Sequence, residues 1–135
     1  MTKLIAYLAA GIPFALIDLG WLTLMGERLY RPVLGDILRS SPNLAAAILF
    51  YTIYPIGLVI FAVLPALDAA SPSRAFVLGL MYGFFTYATY DLTNQATLRN
   101  WSTLLTSVDV AWGTTLAGIC AYLAFQAAAR TAGAS

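Results

Sequence analysis

Three aspartates, Asp18, Asp91 and Asp109, stand inside apolar runs, where an ionisable group is costly unless it does something. On a helix, residues three or four apart share a face. That spacing gives Asp91 the companions Tyr87, Asn94 and Gln95, with Tyr90 and Thr93 on flanking faces; it gives Asp109 the companions Thr106 and Trp112, and Asp18 the companion Trp21. Carboxylates among hydroxyls and amides suit a proton-accepting site, a hard-cation site, or a cavity that takes the polar end of a lipid-like molecule. A structural role is the competing reading, in which the acids hydrogen-bond to Asn94, Thr93, tyrosine hydroxyls and an indole N–H and lock helices together. Asp-x-x-Trp occurs twice, as Asp18–Trp21 and Asp109–Trp112; two residues per copy do not by themselves establish an inverted repeat.

The elements that position these acids are read as four transmembrane helices, over residues 4–25, 43–64, 73–98 and 102–128. Each has the roughly 20 residues a bilayer core requires. Residues 26–41 carry Glu27, Arg28, Arg31, Asp36 and Arg39 among apolar residues, which suits an interfacial loop with a short amphipathic turn. Ser41-Pro42 and Ser71-Pro72 both read as helix openings. Pro55 should kink the second helix, and Pro65 should begin the loop that follows it. The short connection Arg99-Asn100-Trp101 predicts a tight hairpin, and four helices with short loops predict an antiparallel bundle forming a single domain over residues 1–135. Each aspartate lies seven residues from the end of its span on the same side, roughly 10 Å deep at about 1.5 Å per residue. All three can meet, with Asp91 on the most polar helix as the expected centre. Trp21 and Trp101 are expected in an aromatic belt, and Trp112, deeper, in a pocket wall or a helix contact.

Composition fixes the class. Of 135 residues, 61% are hydrophobic and 10% charged, against roughly 45–50% and about 25% in soluble domains. Lipid must be the outer solvent. A net charge of +1 offers no field for nucleic acid. The single cysteine, Cys120, excludes an internal disulfide and reads as a buried or lipid-facing thiol. The absence of histidine removes the Ser-His-Asp triad and histidine-ligated metals. No catalytic constellation or cofactor fingerprint is complete, so cofactor, metal and enzymatic activity stay open. Gly79-x-x-x-Gly83 resembles a small-residue helix contact, and a homo-oligomer or a membrane partner protein is compatible with so small a bundle. Arg28, Arg31, Arg39 and Arg99 on one side nearly balance Lys3, Arg74 and Arg130 on the other, leaning slightly toward a cytoplasmic acidic end.

The strings Tyr90-Asp91-Leu92-Thr93-Asn94, Asp109-Val110-Ala111-Trp112-Gly113 and Pro42-Asn43-Leu44, with Asp18 preceding Trp21, resemble a family of small bacterial inner-membrane proteins of unknown function. The resemblance spans nearly the whole chain. It implies a multi-pass protein of the bacterial inner membrane and points to membrane-lipid modification as its setting. The expected function is binding of a lipid-like or amphipathic molecule in a three-aspartate pocket; the alternatives are proton or cation transport or sensing, and a structural place in a membrane complex. On this reading Asp91→Asn keeps the fold and abolishes binding.

Overall fold

The computed structural model describes residues 1–133. Four long helices account for most of them: α1, Thr2–Leu34, and α2, Leu44–Asp68; α3, Pro72–Thr97; and α4, Thr103–Gly133. α1, α2 and α4 are long and apolar enough to cross a membrane. α3 is long enough but less apolar, because Thr86, Tyr87, Thr89, Tyr90, Asp91, Thr93, Asn94 and Gln95 crowd its second half. Large apolar side chains such as Leu16, Ile48, Phe61, Phe85 and Leu104 point outward. The carboxylates point inward.

Two helices run further than their sequence suggests, for one shared reason. α1 continues through a wide π-helical turn at Gly26–Tyr30, where Arg31 N–H bonds the Gly26 carbonyl, and then passes Pro32. α2 does the same at Val59–Val63, where Leu64 N–H bonds the Val59 carbonyl, and then passes Pro65. Proline lacks an N–H, and its ring crowds the carbonyl four residues back. A π turn just before it, bonding five residues back instead of four, relieves that conflict. Residues 26–34 are therefore helix rather than interfacial loop, and Pro65 lies inside α2. The extension of α1 packs Leu29 and Leu34 with Trp101 and Leu105, a small core over the start of α4.

The helix openings divide. Ser71 caps α3 by accepting from Arg74 N–H at 3.2 Å, as expected. α2 is capped instead by Asn43, whose Oδ1 accepts from Ala46 N–H at 3.2 Å; Ser41-Pro42 precede it as loop. Around Pro55, hydroxyls supply donors: Tyr7 bonds the Thr52 carbonyl at 3.0 Å and Tyr82 the Tyr54 carbonyl at 3.1 Å. α4 outruns its expected end at residue 128 because an alanine-rich sequence favours helix; the last residues of the expected tail, Ala134 and Ser135, lie outside the described residues.

α4 is the central helix. α3 runs along it in the opposite direction, with Gly79 against Ala121 and Gly118, Gly83 against Gly113 and Ala117, and Gln95 donating to Thr103 Oγ1 at 2.9 Å. The Gly79/Gly83 pair is thus an internal seam between two helices of one chain. α1 packs on α4, and its buried residues Ala6, Ala10, Phe14 and Asp18 recur at every fourth position. Cys120 is buried in the same core. The first half of α2, Leu44–Leu58, packs its backbone against α1 and stands off from α3 and α4. That stand-off opens a cavity.

Candidate functional site

The aspartates occupy core positions because each prolongs an inward stripe of residues four apart: Asp18 follows buried Phe14 on α1, Asp91 follows buried Gly83 and half-buried Tyr87 on α3, and Asp109 precedes buried Gly113 on α4. All are buried, Asp18 and Asp109 at 6% and 7% exposure and Asp91 at 0%. Buried charge demands donors, and for two of the three the donors are present.

Asp18 accepts two hydrogen bonds, from the Tyr51 hydroxyl of α2 at 2.5 Å and from the Trp112 indole N–H of α4 at 3.0 Å. Asp109 accepts from the Tyr30 hydroxyl at 2.5 Å. Tyr30 in turn accepts from the Trp21 indole N–H at 2.9 Å. Trp21 and Trp112 stack face to face, 4.2 Å between ring centroids and 9° from parallel. The two Asp-x-x-Trp motifs therefore interlock: the tryptophan of each serves the aspartate of the other, directly on one side and through Tyr30 on the other. The π turn that ends at Tyr30 matters here, since it carries that hydroxyl to Asp109 in a segment the sequence presents as interfacial.

Asp91 differs. Neither of its carboxyl oxygens has a hydrogen-bond partner among the described residues. The charged group that acts on it is the Asp109 carboxyl.

Beside this network lies a cavity of about 850 Å³, within the range of roughly 300–1,000 Å³ typical of small-molecule sites. Asp18, Asp109 and the tyrosines Tyr30, Tyr51, Tyr54, Tyr87 and Tyr90 form its polar side; Leu22, Leu34, Leu38, Ala47 and Phe50 form its apolar side. Glu27, Arg31 and Arg39 also reach it, with Arg31 and Glu27 exposed and paired at 2.8 Å. Leu22 and Phe50 line the cavity and are 42% and 41% exposed.

Of the expected site residues, Asp18, Asp109, Tyr87 and Tyr90 line this space. Asp91 does not; it sits behind the wall as the buried neighbour of Asp109. Trp112 is a helix contact and the donor to Asp18, outside the main cavity. Thr106 is taken by the Trp101 indole, which donates to it at 3.0 Å. Thr93 is exposed, its hydroxyl turned back to the Thr89 carbonyl, and half-buried Asn94 is also outside the lining. Of the two tryptophans expected in an aromatic belt, Trp101 is buried at 8% exposure, whereas half-buried Trp21 stacks on Trp112. Sequence spacing missed Tyr30, Arg31 and Arg39 as site residues, since a loop has no helical face to count along.

A double-mutant cycle checks the relay. Tyr30→Phe strands the Trp21 indole and one oxygen of Asp109, and should cost about 1–3 kcal/mol in unfolding. Combined with Trp21→Phe, the cost should be less than additive, because both substitutions break the same link. Strict additivity would mean that the chain of bonds carries no stability.

A family model described as "Predicted membrane protein (DUF2177)" matches residues 3–126. No curated protein and no solved structure matches the chain.

Proposed function

The chain belongs to the DUF2177 family of predicted membrane proteins, and for this member we propose that the four helices form an antiparallel bundle spanning the bacterial inner membrane and bind a lipid-like amphipathic molecule. Its apolar part lies against Leu22, Leu34 and Phe50, and its polar part meets Asp18, Asp109 and the surrounding tyrosine hydroxyls. Arg31 and Arg39, which also line the space, suit an anionic group at the level of lipid phosphates.

The observation that carries this reading is the two-sided cavity itself. A structural lock needs only the hydrogen bonds; it does not need about 850 Å³ of space lined by apolar as well as polar residues. An amphiphile can satisfy both linings at once. A cation-binding reading gains no such support, because among the described residues no group of three or more Asp, Glu, His or Cys side chains is placed to hold a metal ion.

Native mass spectrometry of protein extracted in mild detergent provides the test. The wild type should retain an amphiphile of defined mass, whereas Ala47→Trp, which fills the cavity from α2 without touching its acids, should lose most of it. Asp18→Asn should retain less of it or exchange it faster. Wild-type protein that carries nothing specific, or an Ala47→Trp protein that carries as much as wild type, would sink the reading.

A further inference from the structure

We propose that Asp91 and Asp109 together form a proton-binding site, with one proton held between their carboxyl groups and exchanged through the cavity at Asp109. Three observations lead there. Asp91 is at 0% exposure, deeper than the other two acids. Both of its oxygens lack a partner among the described residues, although Asp18 and Asp109 are each supplied with donors. Its interacting charged neighbour is a second carboxyl group.

Two like charges side by side in a low-dielectric interior cannot both persist. A proton on Asp91 removes one charge and also supplies the missing bond, since the acid O–H of Asp91 can donate to the Asp109 carboxylate. Tyr30 already occupies Oδ1 of Asp109, which leaves Oδ2 for that proton. A neutral carboxyl with one free carbonyl oxygen is a tolerable buried group; a bare carboxylate with none of its oxygens served is not.

The groups that face the pair add no positive charge. From α1 comes Tyr30, and from α3 Tyr87 and Tyr90. The arginines that line the cavity are Arg31, exposed and paired with Glu27, and Arg39, also exposed. Asp109 is the member of the pair that borders the cavity, so a proton leaves or arrives there, and Asp91 holds it between exchanges. Deprotonation takes the pair from one negative charge to two. This site stands whether or not the cavity holds an amphiphile.

Infrared spectroscopy of the full-length protein in lipid nanodiscs reads the proton directly. At neutral pH the wild type should show the C=O stretch of a protonated carboxylic acid, shifting on transfer to D2O. Asp91→Asn should abolish that band, because the carboxyl group that holds the proton is gone. Asp109→Asn should keep the band but move it, since the acid O–H then faces a neutral amide; this variant tests the site even where Asp91→Asn fails to fold. Ala47→Trp, by filling the cavity, should slow the D2O shift of the band several-fold. No protonated-acid band in the wild type, or a band that persists in Asp91→Asn, overturns the proposal. So does an unmoved band in Asp109→Asn or an unchanged exchange rate in Ala47→Trp.

Discussion

Asp18→Ala should be among the most damaging single substitutions in this chain, lowering unfolding stability by about 2–5 kcal/mol at an unfulfilled-donor cost of roughly 1–3 kcal/mol each. Two half-buried donors lose their acceptor at once: the Tyr51 hydroxyl, which ties α2 to α1, and the Trp112 indole N–H, which ties α4 to α1. The consequence reaches past the two bonds. Tyr51 and Asp18 both line the cavity, and the first half of α2 has its closest backbone packing on α1, so loosening Tyr51 loosens the cavity wall. Asp18→Asn keeps one carbonyl acceptor in the same place and should lose less than half as much. Thermal unfolding of the variants in one detergent decides the matter. An Asp18→Ala protein as stable as wild type would show that the network is incidental to the fold.

Gly83→Val should be comparably severe, for a steric reason. A Cβ at position 83 would stand 2.6 Å from the Gly113 carbonyl oxygen and 2.9 Å from Thr114 Cα. Those are backbone atoms and cannot swing aside, so α3 and α4 would have to separate along their seam. Overpacking of this kind costs about 1–3 kcal/mol and often more; here the displaced helix also carries Asp91 away from Asp109. Gly20 is the contrast. It is exposed on α1 and a Cβ there meets nothing within 4 Å, so Gly20→Ala should be neutral or stabilise by up to about 1 kcal/mol. If Gly83→Val instead left unfolding unchanged and altered only oligomer size, the glycine pair would serve a contact between copies and the seam described above would be misassigned.

What the residues disclose unaided follows from periodicity and cost. The all-helical class, four long helices and the internal placement of Asp18, Asp91 and Asp109 are legible because a carboxylate at every-fourth-residue register with Phe14, Gly83 or Gly113 can only face inward when the remaining faces are this apolar. Depth counting also brings Asp91 and Asp109 to one level, and they are neighbours. Ser71 as the cap of α3 is a local signal, and local chemistry decides it.

Division of labour among the acids is a different matter. Spacing along a helix says which side chains share a face, but not which neighbouring helix stands close and which stands off. Its own helix is the most polar, which makes Asp91 the expected centre; it is instead fully buried and outside the cavity lining. Tyr30 joined the site through a π turn, a half-step in helical register that no periodicity scan registers, because proline and glycine at that point read as a stop. The pairing of Trp112 with Asp18 and of Trp21, through Tyr30, with Asp109 needed α1 and α4 to be packed side by side. The sequence by itself determined that three carboxyl groups would be buried among helices, since burial is set by each helix's own apolar stripe. Only the tertiary structure decided that two of them border a cavity with their donors in place while the third is left with another acid for company, because that depends on distances between helices.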